Sequence, residues 1–203
     1  MASVVSAGSP LALSRYSTVW IRTEDFHRVP ELPMKLFSNP QSSARLPSAQ
    51  KALLLRKSAL SACDELFRDP SPDNIARSKK IVGSLVYLLM KDPESYLMLT
   101  RLSSHDPYTL QHSVGCAVNS LILARKVGLK DEQDLLDAGT AGLLHDIGKT
   151  GVRPEVINKN GPLDEAEWEE MRQHVTRGYE LLCAQPNLSE RIRNAALEHH
   201  EDN

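Results

Sequence analysis

Seven histidines occur in this chain of 203 residues, and five of them, His112, His145, His174, His199 and His200, fall in one arrangement in its second half. His145 is followed directly by Asp146, in the run Leu143-Leu144-His145-Asp146-Ile147-Gly148-Lys149. Adjacent residues on a helix diverge by about 100°, because a turn takes about 3.6 residues. A His-Asp pair therefore cannot share one narrow face. It can stand between two metal ions, with the carboxylate bridging them and the imidazole serving one. Imidazole and carboxylate together suit first-row divalent cations, Fe or Mn rather than a closed structural Zn site.

The neighbours of these histidines separate them from the ordinary surface or core histidine. On the helical face of His112 stand Gly115, Cys116 and Asn119, all small, and residues 138–142 before His145 read Ala-Gly-Thr-Ala-Gly. Small residues let a second helix approach closely, as a metal site inside a bundle requires. His27 and His105 lack such surroundings and are read as ordinary residues.

The elements that must hold these side chains are almost all helical. Ala52, Leu55, Ala59, Ala62 and Leu66 recur at helical spacing and predict one buried stripe. Ser71-Pro72 reads as an N-cap with proline at the first helical position, opening a helix to about Met90 that buries Ile75, Val82, Leu85, Val86 and Leu89. Asp92-Pro93 and Asp106-Pro107 repeat that signal; the helix opened by Asp106 should run to Val127, with Gly128 as its left-handed stop. Asp131 caps a helix expected to end at Gly148, and residues 149–163 read as a loop with at most one short turn. Asp164 and Glu167 form a capping-box start to one helix reaching about Ala184, and Ser189 caps a last helix that carries the chain to its end. The expected fold is all-α, a helical bundle. Residues 1–48 form an irregular segment with two short extended candidates, residues 18–22 and 34–37; residues 49–104 supply the first helices, and residues 105–203 the metal-binding core.

Composition narrows the function. With 41% hydrophobic and 25% charged residues the chain is an ordinary globular one, and a formal net charge of -2 leaves no basic field for a nucleic-acid polymer. Cys63, Cys116 and Cys183 form no CxxC pair and read as small core residues in a reduced compartment. The first residues lack a basic region, which argues against a secretory signal, and the most apolar run, residues 85–90, is too short to span a bilayer. The expected location is the cytoplasm.

The stretch from Asp106 onward resembles the HD-GYP domain, a group within the HD superfamily of metal phosphohydrolases. The matching pieces, in order, are Tyr108-Thr109-Leu110-Gln111-His112-Ser113, Leu144-His145-Asp146-Ile147-Gly148-Lys149, Lys159-Asn160-Gly161-Pro162-Leu163, His174 with Gly178 four residues on, and Glu198-His199-His200-Glu201. The doubled His199-His200 carries most weight, because simpler HD hydrolases generally lack it. The resemblance implies a phosphodiesterase that opens the bacterial second messenger cyclic di-GMP to a linear dinucleotide or GMP. It implies that His112, His145 and Asp146 hold a first metal, and that Asp146 bridges to a second held with His174, His199 and His200. Lys149, alone readable as a helix C-terminal lysine favoured by the dipole, then matches the family lysine facing the scissile phosphate. Some members hold a third metal through a Glu four residues before the first His; Tyr108 stands there, so two ions, Fe or Mn, are expected.

The family continues beyond His-His-Glu into a Gly-Tyr-Pro loop and a later Asp ligand, whereas this sequence stops at Asn203, so a fragment of a longer protein is expected. The competing readings are a non-catalytic regulatory module that binds signalling proteins or a second copy of the chain, and a different HD hydrolase acting on nucleotides.

Overall fold

A computed structural model describes residues 46–103 and 109–201. The two extended candidates near the N-terminus, the Asp106-Pro107 cap, Tyr108, His27 and His105 lie outside the described residues. Those described contain helices and turns and no strand. The helices are α1 (Ser48–Arg68), α2 (Pro72–Lys91), α3 (Pro93–Ser103), α4 (Thr109–Lys126), α5 (Glu132–Leu144), the single turn α6 (Pro154–Ile157), α7 (Glu165–Arg172), α8 (His174–Cys183) and α9 (Glu190–Glu198), with a 3-10 turn over Ile147–Gly151.

The apolar stripe of α1 is buried as its spacing predicts: Ala52, Leu55, Ala59, Ala62 and Leu66 are each at most 2% exposed. On α2, Ile75, Val82, Leu85 and Val86 are buried, but Leu88 is fully enclosed in place of Leu89, which packs at the margin of the same cluster. This main core joins α1 to α5. A second, smaller cluster of Leu66, Ile75, Leu144, Ile147, Leu182, Leu188, Ile192 and Ala196 ties the far ends of α1, α2 and α5 to α8 and α9. It forms the floor beneath the histidine-bearing ends of α5, α8 and α9.

Local signals account for several boundaries. The Asp131 carboxylate accepts from the Gln133 and Asp134 amides, capping α5. Asp164 and Glu167 form a complete capping box, each side chain accepting from the other's backbone N–H, at 2.9 and 2.8 Å. Gly128, at φ 99°, stops α4 in the left-handed region, and the Leu129 amide donates to the Ala124 carbonyl in the bond that closes a Schellman motif. Ser71 and Ser189 stand at cap positions in extended backbone, but their hydroxyls make no cap bond.

Three expectations are corrected at the site, and the first is the last helix, expected to run to the end of the chain, which stops at Glu198 with His199 as its cap. The fifth helix ends at Leu144; His145 closes it, Asp146 leaves helical geometry at φ -94°, ψ 8°, and Ile147–Gly151 tighten into a 3-10 turn. The helix expected from Asp164 to Ala184 is two helices broken at Gln173, so His174 begins α8. No proline marks the break after Leu144 or the one at Gln173, and the former runs into Gly148. Both arise where the 3-10 turn and α8 meet backbone to backbone at Gly148 and Gly178, a tertiary contact that a periodicity pattern cannot report.

Asp92 joins the helices. Its carboxylate pairs with the buried Lys51 of α1 and accepts from the Ser95 amide at 3.1 Å, capping α3. Burial pushes this carboxyl up, but Lys51 and Ser95 outweigh burial and hold it below its ordinary 3.8. A carboxylate depressed in the folded state contributes stability above its unfolded pKa and loses it as pH falls through the folded one. Asp92→Ala is expected to destabilise the protein by about 1–2 kcal/mol at neutral pH, mostly through the lost cap. The gap between parent and variant in urea unfolding should narrow below pH 3.8.

Candidate metal centre

Asp146 is the pivot. It is 1% exposed, at the bottom of a recess walled by α4, the end of α5, the start of α8 and the end of α9. All five predicted histidines are gathered there. His145 Nε2 lies 3.3 Å and His112 Nε2 3.9 Å from Asp146 Oδ2; His174 Nε2 lies 3.4 Å and His199 Nε2 3.5 Å from Oδ1. His200 lies beside His199, its ring tilted by 42° with centroids 4.2 Å apart, and joins Asp146, His174 and His199 in one group of candidate ligands. The two carboxylate oxygens thus face different sets of imidazoles.

Three of the rings are oriented by one device. Nδ1 of His145, His174 and His199 lies 2.9, 2.6 and 3.0 Å from the carbonyl oxygen three residues earlier, that of Gly142, Met171 and Ala196. A carbonyl only accepts, so Nδ1 carries the proton and a neutral ring presents the bare Nε2 lone pair to the recess. His174 Nε2 and His199 Nε2 then stand 3.2 Å apart, beside an Asp146 Oδ1 that is buried without a hydrogen-bond partner. His112 Nε2 and His145 Nε2 are likewise 3.2 Å apart. Two acceptors crowded as those of His174 and His199 are repel one another unless positive charge stands between them. The donor set therefore fits divalent cations, with backbone carbonyls as the outer partners that hold ligating imidazoles in place.

Electrostatics point the same way. His112 and His200 are pulled down, first by burial and then by the neighbouring imidazoles, which favours the neutral form a ligand needs. Lys149, on the 3-10 turn, donates to Asp146 Oδ2 at 2.7 Å and lines a cleft of about 240 Å³ with Phe67, Thr150 and Ile157 among its walls.

Cys116, expected as a small packing residue, also stands beside His112. Its Sγ lies 3.5 Å from His112 Nε2, and it forms a second group of candidate ligands with His112 and His145. Its spacing of four from His112 on a helix was the available signal. Cys63 is buried as expected, while Cys183 is exposed. Asn119, expected on the packed face, is exposed; the close approach is made by Gly142, where a Cβ would come 2.8 Å from the Cys116 carbonyl oxygen.

An all-helical bundle with a buried His-Asp pair ringed by further histidines is the architecture of the HD domain, and residues 109–203 match the HD-domain family model. That stretch is similar to the HD domain, and HD-domain phosphohydrolases depend on metal. The resemblance to the HD-GYP group extends to individual relatives. The chain is 32% identical to a cyclic di-GMP phosphodiesterase of Pseudomonas aeruginosa, over 93% of this chain and 49% of that one. It is 36% identical to a 3'3'-cGAMP-specific phosphodiesterase of Vibrio cholerae over 49% of this chain and 21% of that one. An HDG"Y"P protein from Bdellovibrio bacteriovorus shares the fold at a TM-score of 0.70 and 17% identity, covering 89% of this chain and 60% of that one. The chain spans about half the length of the Pseudomonas relative, and less of the Vibrio one. Among the described residues no helix is long and apolar enough to cross a membrane.

Proposed function

We propose that the protein is a metal-dependent phosphodiesterase that hydrolyses cyclic di-GMP, with two divalent cations, Fe or Mn, in the recess around Asp146. The observation that carries this reading is the set of bare imidazole nitrogens turned toward the two oxygens of one buried carboxylate. His112, His145 and Asp146 would hold one cation; Asp146, His174, His199 and His200 would hold the other. Bound there, a cation pair supplies Lewis acidity toward phosphoryl oxygens and a nucleophilic water near neutral pH.

The chain's own residues do the rest. The carbonyls of Gly142, Met171 and Ala196 fix three rings, so the ligands are preorganised. Lys149 would turn its ammonium from Asp146 toward the non-bridging phosphate oxygens, offsetting charge that grows in the transition state. The cleft that Lys149 lines would take the part of the dinucleotide flanking the scissile phosphate. Cyclic di-GMP is favoured over 3'3'-cGAMP because the relative named for it aligns along 93% of this chain, against 49% for the Vibrio protein.

The test is hydrolysis of both dinucleotides by the whole chain loaded with Mn²⁺ or Fe²⁺, followed by chromatography of products. Faster turnover of cyclic di-GMP is the expected result; no hydrolysis of it by metal-loaded protein overturns the proposal. Lys149→Ala should lower turnover by about 10²- to 10³-fold with the metal content unchanged. Equal turnover in this variant removes Lys149 from the mechanism.

A further inference from the structure

We propose that Cys116 ligates, as a thiolate, the cation held by His112 and His145, an inference that rests on the metal-centre reading above. His112 and Cys116 stand four apart on α4, so their side chains rise from one face. Cys116 Sγ is 3.5 Å from His112 Nε2 and 3.8 Å from Nδ1, and His112 Nε2 is 3.2 Å from His145 Nε2. One donor atom from each of the three residues lies within 4.8 Å of the other two. Donors on a single cation at about 2.0–2.3 Å sit roughly 3–4.6 Å apart, so one ion can reach all three with small side-chain rotations.

The placement is enforced by the backbone. Gly142 brings α5 against α4 at Cys116 itself, with a Cβ there only 2.8 Å from the Cys116 carbonyl oxygen. His145 follows Gly142 by three residues and bonds its carbonyl, so the contact that admits α5 sets the thiol and the imidazole on one level. Neither other cysteine is placed to serve: Cys63 is buried in the main core, and Cys183 is exposed at the end of α8.

The thiolate makes the two halves of the centre chemically unequal. Around Asp146 Oδ1 the donors are nitrogen and oxygen, whereas beside His112 and His145 one donor is sulfur. Sulfur favours Zn²⁺, Fe²⁺ and Co²⁺ over Mn²⁺, so the sulfur-bearing half should discriminate against manganese while the other tolerates it. Binding replaces the thiol proton by the cation and releases that proton to solvent.

The experiment is titration of the metal-free chain with Co²⁺ under anaerobic, reducing conditions, read by near-ultraviolet absorption. A sulfur-to-cobalt charge-transfer band is expected, lost in Cys116→Ser, which keeps Cys63 and Cys183. Without any substitution, iodoacetamide labelling of the Cys116 peptide, read by mass spectrometry, should fall at least tenfold when Co²⁺ is bound. Cobalt binding without the band, or a band that survives in Cys116→Ser, overturns the thiolate assignment and leaves the histidine centre standing. A parent chain that takes up no cobalt overturns both.

Discussion

Asp146→Asn is expected to purify as a folded helical protein with almost none of the parent's bound metal. The substitution keeps the size of a side chain that is 1% exposed, so circular dichroism should match the parent. It removes the negative charge shared by the oxygen that faces His174 and His199 and the one that faces His112, His145 and Lys149, and turns one of the two into an amide nitrogen that cannot ligate. Loss of an outer-shell partner alone typically costs 10- to 100-fold in metal affinity, so loss of a carboxylate shared by both halves should cost more than about 100-fold. Turnover of cyclic di-GMP should fall by about 10³-fold or more. Elemental analysis after dialysis decides it: an Asp146→Asn protein carrying as much metal as the parent would refute the site. His145→Ala should lose mainly the ion on the His112 side, because His174 and His199 address the opposite oxygen. That asymmetry separates a two-site centre from a single site with surplus histidines.

How much of this was legible in the sequence follows from where the information is stored. The helices of the main core were, because apolar spacing in α1 and α2 and the caps at Asp131, Asp164 and Gly128 are local codes. The convergence of His112, His145, Asp146, His174, His199 and His200 was also legible, through the order of family motifs more than through physics, since no local rule states which helix ends meet. Family likeness pointed to the candidate ligands but not to what orients them. The Nδ1 bonds to carbonyls three residues back depend on how each helix ends, at Leu144, at Gln173 and at Glu198, and all three positions read as helix interior in the sequence. Cys116 was passed over for a related reason. A cysteine among apolar residues looks like packing until the partner helix shows what lies above it.

The same close contact that broke both helices makes Gly148 the backbone position most intolerant of a side chain among the described glycines. Gly148→Ala places a Cβ 1.9 Å from the His174 carbonyl oxygen and 2.5 Å from the Gly178 nitrogen, both main-chain atoms. No rotamer relieves such a contact. The 3-10 turn and α8 must separate by roughly 1.5 Å to restore van der Waals distance. Overpacking of this kind costs about 3 kcal/mol or more, which in a chain of this size lowers Tm by about 6–12 °C. The separation also moves His174, the first residue of α8, away from Asp146 Oδ1 and away from the His199 Nε2 it faces at 3.2 Å. The folded fraction should therefore retain the ion on the His112 and His145 side and lose the one on the His174 side, halving the bound metal. Gly83→Ala is the control: it lies within α2 with nothing within 4 Å of the added Cβ, so helix propensity should raise stability by about 0.5–1 kcal/mol. One substitution made at two glycines then shifts Tm in opposite directions, and only Gly148→Ala should change metal stoichiometry. A Gly148→Ala protein with parental Tm and full metal would show that α8 and the 3-10 turn do not meet as described, and with that contact would go the placement of His174 against Asp146.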